Sequence, residues 1–359
     1  MLDSFSATYA EAREKFLTLA RSRDAHIHSV MHPTLGAEGE ELAMDFAVFG
    51  DRNAERTLLV VSGTHGQEGF FGSAVQVEFL RDLNVPGGMN VVALHALNPW
   101  GFSYLSRTDE LNIDVNRNFL DFSQPLPSAS LYTEVHPMIC PDNWSGDRLP
   151  AEELVGVLLA KYERQAILNA VTGGQFDVPT GLNFGGRAPA WSNRMVAEHL
   201  PPLLASAKKV AFVEWHTGLG RFAELCYVCM HDPGSSASER IWDWMGDEAR
   251  HTFAAAVGAD GRTPSYSGLF CNWAPNAAPH ADCAGLVIEV GTYDAPAVWE
   301  ALRTDRWLKF GRGAASASRE DMRRDMLERL YPASEAWRRS ALAGGCGVQS
   351  RMLGGLSEW

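Results

Sequence analysis

The sequence predicts an α/β fold, a mixed, largely parallel twisted sheet with helices on both faces. Two observations carry this. Short apolar runs rich in β-branched residues, at 57–62, 89–96, 210–215 and 285–290, read as strands buried on both faces. Stretches with helical spacing lie between them, and that alternation is the pattern of parallel strands joined by helical crossovers.

In chain order, residues 5–22 place apolar side chains at helical spacing and predict an amphipathic helix. The stretches 26–31 and 43–49 predict a hairpin. Strand 57–62 closes on Gly63, helix 69–82 follows, and 89–96 is the next buried strand. From 98 to 150 periodicity gives way to Asn, Asp, Pro, Ser and Trp, which predicts a long loop of the kind that is functional or disordered. Helices are predicted at 151–171 and 192–206, strands at 210–215 and 225–230, and a helix at 237–257. Strand 285–290 and helices 296–311 and 319–341 complete the order, and the Gly-rich tail 344–355 is expected to be poorly ordered. No repeat and no Pro/Gly linker divides the chain. One domain over 1–359 is expected, with its core at about 55–295 and a helical C-terminal extension at 296–341.

Composition narrows the function. Of 359 residues, 46% are hydrophobic and 21% charged, as in an ordinary globular protein with a large core. A formal charge of -13 argues against nucleic acid or an anionic membrane as partner, because affinity for phosphates comes mainly from Lys and Arg. No run of about 18 apolar residues appears. The start MLDSFSATYAEAREKF lacks the basic and apolar segments of a secretory signal. The six cysteines are scattered, which suits reduced thiols, so a cytoplasmic location is expected. Cys226 and Cys229 have metal-knuckle spacing but sit in the apolar run 225–230 without a second pair. They read as a buried strand rather than a metal or redox site.

In open α/β sheets, sites form beyond the carboxyl ends of strands. Three polar clusters lie there: Ser62-Gly-Thr-His65-Gly-Gln-Glu68-Gly, Glu214-Trp-His216-Thr-Gly and Glu289-Val-Gly-Thr292. On a solvated helix face His65-x-x-Glu68 would mean little. In a Gly-flanked turn both side chains can converge, and with His216 they make a set of two imidazoles and one carboxylate. That set fits a catalytic zinc, which keeps a fourth position open for water. Arg107, Asp114, Asn116 and Arg117 crowd the segment 107–119, where guanidinium groups suit a carboxylate. By itself that segment also reads as a solvated, salt-bridged loop.

Taken in order, His65-x-x-Glu68, Asp114-x-Asn116-Arg117-Asn-Phe119, His216-Thr-Gly and Glu289-Val-Gly-Thr292 resemble the motifs of the zinc carboxypeptidase superfamily. That superfamily includes carboxypeptidase A-like peptidases and the aspartoacylase/succinylglutamate desuccinylase branch. The chain looks most like a bacterial group of it described only as a domain of unknown function. The similarity spans about residues 55–295.

The resemblance implies one zinc per chain on His65, Glu68 and His216, with Asp114 orienting the first histidine. It implies that Asn116 and Arg117 grip a substrate carboxylate and that Arg107 polarises the scissile carbonyl. The Arg107–Arg117 spacing is closer to the aspartoacylase pattern than to digestive carboxypeptidases. Glu289 matches the general acid/base, and its apolar strand is consistent with a raised pKa. Tyr266, 23 residues before Glu289, matches the mobile tyrosine of the peptidases. The implied activity is hydrolysis of an amide beside a free carboxylate, in a peptide or a small-molecule substrate. An N-acyl amino acid amidohydrolase, an esterase, or a non-catalytic binding module on the same fold are the alternatives. Loop 98–150 and the segment 180–187 are expected to narrow the pocket, which leans toward a small or unusual substrate.

Overall fold

The computed structural model describes residues 2–144, 148–257, 264–312 and 318–359. Seven strands form one sheet in the order β1-β2-β4-β3-β5-β7-β6. They are β1 (His26–Leu35), β2 (Glu41–Gly50), β3 (Arg56–Val61), β4 (Met89–His95), β5 (Lys209–Thr217), β6 (Leu225–Val228) and β7 (Asp282–Val290). The centre is parallel, with β3 beside β4 and β5, and β5 beside β7. Both edges are antiparallel: β1 and β2 are the expected hairpin, β2 runs against β4, and β6 against β7. The mixed α/β sheet is therefore as the sequence predicts.

The helices are α1 (Tyr9–Ser22), α2 (Gly69–Arg81), α3 (Pro99–Tyr104), α4 (Ser130–Ile139), α5 (Ala151–Leu159), α6 (Arg164–Thr172) and α7 (Trp191–Leu203). There follow α8 (Ser236–Met245), α9 (Thr252–Val257), α10 (Phe270–Trp273), α11 (Ala295–Phe310), α12 (Arg319–Leu330) and α13 (Glu335–Glu358). Several start where the sequence supplies a cap. Thr8 accepts from Glu11 N, Asp294 from Ala297 N, and Ser334 from Trp337 N, each filling an orphan donor of a first turn. One core cluster lies between the sheet and α1, α2, α8 and α13, and a second covers the opposite face under α7 and α10. No helix among the described residues is long and apolar enough to cross a membrane.

Two expectations are corrected. The segment 98–150 is not one irregular loop: it holds α3, α4 and a 3-10 turn at Val115–Arg117, while its residues 145–147 lie outside the described residues. The Gly-rich tail is not loose either, because α13 runs through it to Glu358. There glycine serves close approach: a Cβ at Gly345 would stand 2.9 Å from the Val75 side chain, so its absence lets α13 lie against α2.

Candidate active site

β3, β5 and β7 are adjacent and parallel, so their carboxyl ends open on the same edge of the sheet. The turn after β3 is pinned there. A Cβ at Gly66 would lie 1.9 Å from Gly101 O, so only glycine lets the turn seat against α3, and Gly66 N donates to Ser106 O at 3.0 Å. His65 and Glu68 project from this turn just before α2, and His216 stands near the end of β5. His65 Nδ1 lies 2.9 Å from Glu68 Oε1, and His216 Nδ1 lies 2.9 Å from Glu68 Oε2. The two Nδ1 atoms are 3.2 Å apart. One ligand atom from each residue falls within 4.8 Å of the others, and all three side chains are buried.

A carboxylate stands behind each imidazole. His65 Nε2 is 3.2 Å from Asp114 Oδ1, and His216 Nε2 is 3.0 Å from Glu214 Oε1. The charge of each carboxylate favours the ring hydrogen on Nε2, by a hydrogen-bond contact at His65 and by a close charge contact outside hydrogen-bond geometry at His216. Both Nδ1 atoms face Glu68 and one another. Three electron-rich groups brought together in this way repel unless a cation sits among them. Without a metal, a proton takes that place. Burial opposes charge on His216, but Glu214 and Glu68 hold its pKa well above the ordinary value. Burial likewise opposes charge on Glu68, yet His65 and His216 hold its carboxyl well below the usual range. The donor set thus fits a divalent metal.

Asp114 organises the flank. It accepts from Asn116 N at 3.0 Å and caps the 3-10 turn, and its Oδ2 accepts from Arg107 Nε at 3.0 Å. Arg107 Nε also donates to Asn183 Oδ1 at 3.0 Å. The guanidinium is thereby held with Nη1 3.3 Å from His65 Nδ1 and 3.4 Å from Glu68 Oε1, beside the convergent ligand atoms.

Arg117 is buried and spends three N–H groups on backbone carbonyls. Nε and Nη2 donate to Thr172 O at 3.0 and 2.7 Å, and Nη1 donates to Asn116 O at 2.7 Å. One hydrogen on each Nη is left over. Among the described residues no carboxylate pairs with it, and burial pushes its pKa below the ordinary value. Its Cζ lies 5.1 Å over the Tyr266 ring. Asn116 is fixed by Phe270 N, which donates to its Oδ1 at 2.8 Å.

Glu289 pairs with His216 across the parallel β5–β7 register. Its Oε2 is enclosed and has no hydrogen-bond partner among the described residues. Burial pushes the carboxyl up to about 7, with the Glu68 charge adding to the rise and His216, His65 and Arg107 opposing it. His65, Glu68, His216, Glu289, Arg107, Asn116, Arg117 and Tyr266 all line one cavity of about 540 Å³. Asp114 lies behind the wall, where the sequence reading placed an orienting group.

Sequence reasoning gave no role to Glu214, Thr64 or Asn183. Glu214 carried a signal: it is two residues before His216 on a strand, hence on the same face. Thr64 Oγ1 donates to its Oε1 at 2.8 Å. Asn183 carried none, because it reaches Arg107 across 76 residues from a loop position with φ of 50°.

A family model described as a protein of unknown function (DUF2817) matches residues 5–344. The chain belongs to this family. No curated protein matches it. Among solved structures, the chain is similar to bovine thrombin-activatable fibrinolysis inhibitor in complex with tick carboxypeptidase inhibitor. They share 12% identity with a TM-score of 0.54, over 100% of this chain and 99% of that one. This likeness shows a carboxypeptidase-like fold for the DUF2817 chain. Carboxypeptidase A from Helicoverpa armigera matches at 11% identity and TM-score 0.47, over 95% of this chain and 73% of that one. A succinylglutamate desuccinylase from a Silicibacter species matches at 11% and 0.37, over 82% and 70%.

Proposed function

We propose that the chain is a zinc-dependent hydrolase of amide bonds next to a free carboxylate. The observation that carries this is one cavity lined by a three-ligand metal set, by Glu289, whose Oε2 has no hydrogen-bond partner among the described residues, and by Arg117, which forms no salt bridge among them. His65, Glu68 and His216 would hold zinc, which supplies Lewis acidity and lowers the pKa of a bound water.

The remaining roles belong to the chain's own groups. Arg117 and Asn116 take the substrate carboxylate, which fixes the distance from that charge to the scissile carbonyl and turns binding into orientation. Arg107, held by Asp114 and Asn183, offers Nη1 to the negative charge that develops on the carbonyl oxygen. Glu289 accepts a proton from the attacking water and hands it to the leaving nitrogen. A carboxyl with a pKa near neutrality suits both transfers. Tyr266, under Arg117, closes the carboxylate end of the cavity.

The test is a panel of blocked dipeptides, N-acyl amino acids and their C-terminally amidated forms, assayed with zinc-loaded protein. Cleavage of free acids over amides supports the reading. Equal cleavage of both removes the clamp, and no cleavage of any member leaves a binding module. Peptide against N-acyl amino acid preference separates the two subtypes.

A further inference from the structure

Asp114 and Asn183 hold the outer end of Arg107, and a third residue holds its backbone. Arg107 N donates to Asp305 Oδ2 at 2.7 Å, and Ser106 Oγ donates to the same oxygen at 3.2 Å. No backbone carbonyl among the described residues takes the Arg107 N–H. Asp305 is buried on α11, 198 residues further along the chain. A carboxylate taken out of water is costly unless donors meet it, and Asp305 is met by the two residues that root the Arg107 side chain.

α11 grips this segment at a second point. Lys309, one turn after Asp305, contacts Thr108 Oγ1 and donates to Asp109 O at 3.1 Å. Burial pushes its ammonium below the ordinary value, and the charges of Asp305, Asp109 and Glu110 oppose that. Val298, Leu302, Asp305 and Lys309 recur at intervals of four, three and four residues, which makes them one stripe of the helix. The first two line the cavity, and the last two hold residues 106–109.

The other side of the segment meets the turn that carries the metal ligands. Ser106 O accepts from Gly66 N, between His65 and Glu68, and Ser106 N donates to Gly101 O at 2.8 Å. Ser106 and Arg107 are therefore fixed between α11 and the His65–Glu68 turn. Asp114 and Asn183 fix Arg107 at Nε, whereas Asp305 fixes it at N. A side chain tied at both ends keeps one set of torsions, and Nη1 stays 3.3 Å from His65 Nδ1.

We infer that Asp305 is a positioning residue for Arg107: by tying the Arg107 backbone to α11, it fixes where that guanidinium stands beside the metal ligands. The inference rests on the amide hydrolase reading and deepens it, because Arg107 is the group assigned there to the carbonyl oxygen. It also brings the first helix of the expected C-terminal extension into the working site.

The test is a double-mutant cycle on zinc-loaded protein, read as kcat and KM for a cleaved N-acyl dipeptide. Asp305→Ala should lower kcat about 10- to 100-fold with little change in KM, the scale of a misplaced catalytic group. Asp305→Asn keeps an acceptor oxygen at the same reach and should recover most of the loss. In an Arg107→Ala background the Asp305→Ala effect should vanish, because the group it positions is gone. If Asp305→Ala fails to fold, Asp305→Glu takes its place in the cycle, since it keeps the charge and moves the acceptor by one methylene. A wild-type kcat in the variant, a loss confined to KM, or an equal loss in both backgrounds overturns the role. Should wild type cleave nothing, the hydrolase reading fails, and the cycle is read on the calorimetric Kd of an N-acyl dipeptide phosphonate, which presents anionic oxygens to Arg107. Asp305→Ala should then weaken binding about tenfold with Arg107 present, the scale of one lost hydrogen bond, and not at all without it. Equal weakening in both backgrounds, or no binding by wild type, overturns the inference.

Discussion

Glu214 Oε1 stands 3.0 Å from His216 Nε2 and accepts from Thr64 Oγ1 at 2.8 Å, with the carboxylate wholly buried on the same strand as the histidine. On the proposed metal site the Glu214 charge would favour the hydrogen on Nε2 and leave Nδ1 to Glu68, a positioning role parallel to that of Asp114 behind His65. Glu214→Gln keeps the shape but no longer attracts the Nε2 hydrogen as strongly. Zinc affinity, measured by competition with a chelator, should fall about 10- to 100-fold, the usual cost of losing such a partner. An unchanged affinity would show that Thr64 and packing alone orient the ring.

The metal itself gives the next expectation. Because Glu214 and Glu68 hold His216 protonated without metal, zinc binding should release that proton and stabilise the fold. At zinc 100-fold above Kd the gain is about 2.7 kcal/mol, read as a rise in Tm. Elemental analysis should find one zinc per chain, and His216→Ala should lose both the metal and the rise. A Tm that zinc does not move would count against the site.

The two arginines should separate kinetically. Arg117 meets the carboxylate in ground and transition states alike, so Arg117→Ala should mainly raise KM for a free-acid substrate. Arg107 acts on charge that develops during reaction, so Arg107→Ala should lower kcat by about 10²-fold or more. Asn183→Ala removes one of the two groups that hold Arg107 Nε and should lower kcat with little change in KM. If Asn183→Ala instead raised KM alone, Asn183 would belong to the clamp.

How much of this was legible follows from where each signal lives. The parallel centre was readable because β3, β4, β5 and β7 are buried on both faces and appear as unbroken apolar runs. α3, of six residues, and the 3-10 turn at Val115–Arg117 are too short to show any period. α13 was legible only up to 341; the rest was hidden by its glycines, which are poor helix formers in isolation but are suited to close contact with α2. In the site, His65, Glu68 and His216 stood out because they follow buried strands beside glycine. Asn183 acts through tertiary contact alone, and one sequence carries no trace of that.

Glu289 carries the last and most demanding expectation. Its Oε2 is enclosed and unpaired among the described residues, and burial holds its pKa at about 7 in the metal-free protein. A raised carboxyl pKa favours the protonated fold. The stability it adds is complete below its ordinary value of 4.5 and is lost as pH rises to about 7. Metal-free wild type should therefore lose stability over that window relative to Glu289→Gln. A bound cation favours the carboxylate, so in the zinc-loaded enzyme the acidic limb of kcat/KM should lie below about 7. Glu289→Gln keeps shape and one hydrogen-bonding oxygen but cannot take the proton. It should bind zinc and substrate nearly normally while kcat falls by several orders of magnitude, because base and acid help are each worth roughly 10²–10⁴-fold. The acidic limb should vanish from whatever activity remains. Retention of a tenth of wild-type kcat with zinc bound would assign the proton transfer to another group.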